Sequence, residues 1–259
     1  MIKKKNREII NIEDWKEIAG PKNIARQWVD GRSAKETAKV WLNQGTPEIP
    51  VEIRACIQNH EAFSIIESWN AEPEFESKFD GFRGPANIDV IIDAKDKHGE
   101  FLIGVESKAD ESFSSTIEKT YKAAKKTVDE SPNSKRVERL EQLASAFFGE
   151  KNNIVTEIGN LRYQLITCLA GTISEAINRK VQRAVFLIHE FETPKTSDKK
   201  HEINRKDLNA LIHRLTNGQW KEINNGEIIG TVCIPGNPLF GTIPKLYIGK
   251  VNRKINKQL

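Results

Sequence analysis

Asp89, Glu106 and Lys108 are the residues of this sequence whose types and spacing suggest chemistry. They sit in "NIDVIIDA" and "EFLIGVESKA", two alternating apolar runs separated by "KDKHGE", a polar turn containing Gly99. Period-two alternation on both sides of a Gly-containing turn reads as an antiparallel hairpin. With the turn centred between Lys97 and His98, Ala94 faces Phe101 and Asp89 faces Glu106. Directly opposed residues have Cβ atoms ~4.5–5.5 Å apart, close enough for two carboxylates to grip one divalent cation. Lys108 projects from the same face as Glu106, roughly 6–7 Å further along the strand.

Two carboxylates alone at that separation would repel, and one would raise its pKa. A hard cation such as Mg²⁺, for which Mn²⁺ can substitute, removes the conflict, with Asp89 and Glu106 as its ligands and a phosphate oxygen as another. Lys108 would orient or help deprotonate an attacking water and stabilise negative charge growing on phosphorus. Metal-assisted phosphodiester hydrolysis is the reaction such a patch suits best. The plainer reading is a solvated cross-strand ion cluster. Against it, both strands are apolar around the charges ("VII", "FLIGV"), where unpaired charge is costly. Asp93 is the rival first carboxylate; the same register faces it to Leu102, some ~13 Å from Asp89.

The elements that must position these residues can be read from periodicity. "IEDWKEIAG", "GRSAKETAKVWLNQG" and "PEIPVEIRACIQNH" read as helices, the second with Ser33 and Glu36 in capping-box spacing, and Trp15, Trp28 and Trp41 pack them together. After His60 the period shortens: "FSIIESW" and "EFESKF" read as two strands ahead of the hairpin. Helices follow over "SSTIEKTYKAAKKTVDE", broken by Pro132, and "SKRVERLEQLASAFFG", then a long central helix over "IGNLRYQLITCLAGTISEAINRK". "VQRAVFLIHEF" is a buried strand, "RKDLNALIHRL" a helix, and "EIIGTVCIP" and "KLYIGKV" are strands. The class is α/β, a central mixed β-sheet flanked by helices with a helical N-terminal extension. We expect one domain over 1–259: a helical part at 1–59, the core at 60–191, and a C-terminal helix and strands at 192–259.

The bulk composition bounds the partners. Forty Lys plus Arg against thirty-six Asp plus Glu give a net charge of only +4, so local basic runs matter more than the total. "IKKKNR", "EKTYKAAKK", "SKRVER", "DKKHEINRK" and "KVNRKINKQ" are such runs, suited to phosphates or to solvated helix faces. Three scattered Cys without CxxC spacing suggest neither a disulfide frame nor a zinc site and fit a reducing cytoplasm. No apolar run is long enough to span a membrane, and "MIKKKNREIINIEDW" turns charged too soon for a signal peptide.

The order "NID", "VESK", "RYQL", "AVFLIHEF" resembles the PD-(D/E)XK nuclease superfamily, whose restriction-endonuclease-like core is a helix, a hairpin-containing mixed sheet, a helix and another strand. The resemblance covers roughly residues 60 to 191. It places the family's Asp on Asp89, its Glu on Glu106 and its Lys on Lys108, with Ile88 where the family's Pro stands. It implies a further polar residue on the following helix, for which Gln164 is the candidate, beside Arg162 and Tyr163. "AGPKNIARQWVDGRSAKE", "VESKADESF" and "RYQL" are also similar to a family of uncharacterised bacterial proteins carrying this core. The resemblance implies a Mg²⁺-dependent nuclease on DNA, with RNA the alternative polymer, in restriction or anti-phage defence, and a homodimer. A non-catalytic nucleic-acid-binding or assembly module is the competing expectation; the intact Asp, Glu and Lys speak against it. No helix-turn-helix, zinc finger or P-loop is present, so target choice falls to the fold's own loops or to a protein partner. Asp110 and Glu111 read as helix N-terminal acids, with support of the metal ligands as the alternative, and Glu52, Glu61 and Glu67 as candidates to complete the metal site. His98 reads as an exposed turn residue.

Overall fold

Alternating apolar residues after His60 build one six-stranded sheet, and the helical stripes on either side of them cover its two faces. The computed structural model describes residues 1–149 and 154–255; the end of "KVNRKINKQ" lies outside them. Its first part comprises β1 (Lys3–Lys4), β2 (Arg7–Glu8), α1 (Ile12–Ala19), α2 (Ile24–Gln27), α3 (Ser33–Trp41) and α4 (Val51–Gln58). β3 (Ser68–Ser77), β4 (Ala86–Asp96), β5 (Gly99–Lys108), α5 (Ile117–Glu130), α6 (Arg136–Phe148), α7 (Ile154–Ile158), α8 (Tyr163–Asn178) and β6 (Arg183–Glu192) follow. α9 (Asp198–Leu215), β7 (Glu227–Val232) and β8 (Lys245–Lys254) end the described chain. The strand order is β3-β4-β5-β6-β8-β7, with β5, β6 and β8 parallel and the other neighbours antiparallel.

The hairpin has the register read from its turn: Asp96 pairs with Gly99, Ala94 with Phe101, Asp93 with Leu102 and Val90 with Val105. The ladder stops at Val90 and Val105, whereas β4 goes on pairing with β3 through Ile88, Asn87 and Ala86. Asp89 therefore sits where β4 and β5 part.

Two apolar clusters flank the sheet. One joins Ile88, Leu102 and Phe186 to α5, α6, α8 and α9; the other joins Val90, Val105 and Leu187 to α1, α3 and α4. Trp15 and Trp41 are buried in the second and Trp28 packs against it. α8 lies close on β5 because residue 104 is Gly: a Cβ there would collide with Thr172. That close approach lowers the first turn of α8 onto the end of β5.

Several expectations are corrected. "FSIIESW" and "EFESKF" form one edge strand, β3, rather than two, and it carries Pro73 as edge strands tolerate. Residues 62–64 leave the ladder because Arg183 Nη1 donates to Ala62 O (2.8 Å) and Asp96 Oδ2 accepts from Ser64 N (3.0 Å). The long central helix begins at Tyr163, after the break at Gly159 and Asn160, and α9 begins at Asp198 rather than Arg205. Ser33 is not the cap of α3: the N-cap is Arg32, and the Ser33 hydroxyl donates instead to Glu111. Glu36 still reaches back, accepting from Gly31 N at 2.7 Å.

Candidate active site

The hairpin and α8 converge on one polar cavity of about 430 Å³, lined by Glu74, Asp89, Glu106, Lys108 and Gln164. β3, β4 and β5 supply the charges from the sheet, and α8 supplies the amide. The opposite wall comes from the N-terminal part, where Trp15, Lys22, Gln27 and Ser33 line the same cavity.

Glu106 is the hub. It is 1% exposed, and its Oε1 is met by the Lys108 ammonium and by Gln164 Nε2 at 2.6 Å. Cys168 Sγ lies 3.1 Å from Oε2 of the same carboxylate and 3.3 Å from Asn87 O. Gln164, Cys168 and Thr172 are four residues apart and so lie on one face of α8, the face that meets Glu106 and Gly104. Gln164 is fixed in turn by Ser114, whose N–H donates to its Oε1 and whose hydroxyl accepts from its N–H, both at 3.2 Å. Asp89 accepts from the Ser107 N–H at 2.7 Å, so its carboxylate fills the place left where the strands part.

The electrostatics are those of a site short of positive charge. Burial, then the neighbouring Glu106 and Glu74, hold the Asp89 pKa well above the usual carboxylate range. Burial also pushes Glu74 up to about 7, with Glu106 adding to it and Lys4 opposing. Burial would lower Lys108, but Glu106 and Asp89 beside it raise its pKa, so it stays an ammonium at neutral pH. Its Nζ also stands 5.4 Å from the centre of the Phe113 ring. Burial raises the Cys168 thiol far up, keeping it a donor to Glu106. Glu74, Asp89 and Glu106 surround the Lys108 ammonium, and Ser107 Oγ, Thr37 Oγ1 and Glu111 Oε2 are buried without a protein partner among the described residues. The donors present are thus oxygens of the kind a hard cation takes, although no three acid, His or Cys side chains among the described residues already form a metal-binding group.

The four residues singled out from the sequence, Asp89, Glu106, Lys108 and Gln164, thus line one cavity. Asp93 does not: it pairs with Arg179 at 2.5 Å. None of Glu52, Glu61 and Glu67 reaches the cavity. Glu52 bonds His189 (2.8 Å) and Arg253 (3.1 Å) on the sheet's other face, and Glu61 and Glu67 are exposed. A carboxylate that sequence reasoning missed, Glu74 of β3, also lines the cavity; it follows Pro73, where the alternation breaks, and has φ 49°. Asp110 and Glu111 are not at a helix start, since α5 begins at Ile117; Asp110 pairs with Arg32 at 3.3 Å and Glu111 lines the cavity. His98 is exposed, as read from the turn.

The fold and site together define an α/β protein with a helix-flanked mixed sheet and a buried cluster of acids around one lysine. The chain belongs to the family described as Domain of unknown function (DUF6946), whose model matches residues 8–251. No curated protein and no solved structure matches it. Among the described residues no helix is long and apolar enough to cross a membrane.

Proposed function

We propose that this chain is a metal-dependent nuclease of the PD-(D/E)XK type, with a restriction-endonuclease-like core, that hydrolyses phosphodiester bonds of DNA. The observation that carries the reading is the meeting of Asp89, Glu106, Lys108 and Gln164, from two strands and a helix, in a single cavity. The order of hairpin β4–β5, helix α8 and parallel strand β6 supports the core assignment.

Asp89 and Glu106 would hold a divalent cation such as Mg²⁺, which when bound supplies Lewis-acid charge to the scissile phosphate. Lys108 is buried, paired and protonated, so its part is electrostatic: it holds positive charge where negative charge grows on the phosphoryl oxygens. Gln164 and Cys168 fix the Glu106 carboxylate from the helix side. Glu74, with a pKa of about 7, is the group at the cavity matched to accept a proton from an attacking water near neutral pH. The N-terminal wall encloses the charges on the side away from α8.

Cleavage of supercoiled plasmid and of single-stranded DNA by the purified protein, with Mg²⁺, Mn²⁺ or EDTA, tests this. Cutting that needs the metal supports the proposal. DNA binding without cutting in any metal would favour a non-catalytic binding module.

A further inference from the structure

A second cavity, larger at about 790 Å³, is walled by the loop between β3 and β4, by α5, and by the start of α6. Its volume is within the roughly 300–1,000 Å³ of small-ligand sites. Phe82 and Tyr163 give it aromatic surface, and Arg83, Lys135 and Arg136 place cations around it.

The loop that carries Phe82 and Arg83 is anchored. Arg139 Nε donates to Asp80 Oδ2 at 2.7 Å and its Nη2 to Gly84 O at 2.8 Å, with its guanidinium 4.8 Å from the centre of the Phe79 ring. Asp80 Oδ1 accepts from Phe82 N at 3.1 Å, closing the turn. Arg139 is therefore spent on structure, whereas exposed Arg83 has no ion pair among the described residues. Arg136 makes one long contact, 3.5 Å to Thr127 Oγ1. Lys135 faces Glu138 at 3.1 Å in an exposed pair, which water and salt weaken.

The two cavities meet α8 at consecutive residues. Tyr163 lines this one and Gln164 the other, and consecutive Cα atoms are only about 3.8 Å apart. The residue after Tyr163 is thus the one that bonds Glu106.

We propose that the second cavity is a nucleotide-binding subsite for single-stranded nucleic acid: one unstacked base lies against Phe82 and Tyr163, Arg83 and Arg136 hold its flanking phosphates, and the adjoining phosphodiester enters the reaction cavity. Only the last of these clauses rests on the nuclease reading. A base within a duplex has its faces covered by its neighbours, so an aromatic wall is useful for a base out of the stack. A basic surface for duplex alone would need phosphate contacts and no such wall.

The test uses the wild-type protein in EDTA, which separates binding from cutting. The probes are a single-stranded oligodeoxynucleotide carrying one 2-aminopurine and the same strand annealed to its complement. The expected result is tighter binding of the single strand, with quenched 2-aminopurine fluorescence. Phe82→Ala should weaken that binding about five- to 150-fold, the range that loss of one base–aromatic stack implies. The double variant Arg83→Ala/Arg136→Ala should weaken it and flatten its salt dependence. All three side chains lie at the surface of the cavity, and unchanged melting temperatures would confirm that the variants fold. Single-strand affinity indifferent to both changes, equal binding of duplex, or binding of neither probe would overturn the subsite. Parallel cleavage assays in Mg²⁺ separate the two claims. Cutting with indifferent binding sinks the subsite alone; Phe82-dependent binding without cutting sinks the nuclease and leaves the subsite standing.

Discussion

Gln164, at the start of α8, donates to Glu106, on β5, across 2.6 Å and 58 residues of sequence. The bond is the outermost of three contacts that one helix face makes with one strand. Cys168 meets the same carboxylate one turn on, and Thr172 fills the space over Gly104 a turn further. The helix holds the carboxylate still, as the proposed cation site would require of a ligand.

Replacing Gln164 with Ala should therefore lower metal-dependent cleavage about 10- to 100-fold, the usual effect of removing a partner that orients a ligand. Gln164→Glu should do more harm, because it sets a second carboxylate against Glu106. Single-turnover rates at saturating Mg²⁺ check both; equal rates in wild type and Gln164→Ala would remove Gln164 from the machinery.

Gly104→Ala probes the close approach itself. The added methyl collides with Thr172, and overpacking of this kind costs about 1–3 kcal/mol. The companion change Thr172→Ala should return part of that loss, so the double mutant is more stable than the sum of the singles. Denaturant unfolding of the four proteins measures the coupling.

Glu74 has a pKa pushed up to about 7, so its ionised form opposes folding. That penalty is absent below the unfolded value near 4.5 and grows as pH rises through about 7. In EDTA, Glu74→Gln should thus melt higher than wild type at pH 8 and match it at pH 4. With Mg²⁺ present, wild-type cleavage should rise through about pH 7, and Glu74→Gln should lose about 10²–10⁴ in rate. A variant that cleaves normally with an unchanged pH profile would remove Glu74 from proton transfer.

His189 carries a second pH signature, on the other face of the sheet. It is buried, burial lowers its pKa, and Arg253 adds to the effect while Glu52 opposes it. The folded state keeps it neutral while the unfolded chain protonates it near 6.5, so stability is full above that value and falls as pH drops towards the folded pKa. Burial would raise Glu52, but the bond to His189 and Arg253 lower it, and its contribution is likewise lost in acid. His189→Gln should flatten the stability curve just below pH 6.5 by up to about 1.4 kcal/mol per pH unit. Parallel curves for the two proteins would mean that His189 titrates alike in both states.

The hairpin was the most legible part of the chain. Its turn residues and its alternation fix the register as far as Val90 and Val105; the expected Asp89–Glu106 pair falls one residue beyond the ladder, where the strands part, and both side chains line the cavity there. Gln164 needed the resemblance, because periodicity places it on a helix without saying that Gly104 lets that helix descend. Glu74 was hidden by Pro73, which divides the alternation and makes one edge strand read as two. Cys168 gave no signal apart from standing one turn after Gln164. The contribution of Ser33 and Lys22 to the cavity wall is a long-range contact, which local patterning does not encode. Ser33 read as a cap because its spacing to Glu36 was right, but its hydroxyl found a charged acceptor, Glu111, in the folded chain.

The most direct measurement is the single-turnover cleavage of a labelled DNA strand by wild type and Glu106→Ala, with Mg²⁺ and with EDTA. The account predicts cutting by wild type in Mg²⁺ only, and a loss of at least about 100-fold in the variant. Equal cutting by the variant, or cutting that ignores EDTA, would contradict it.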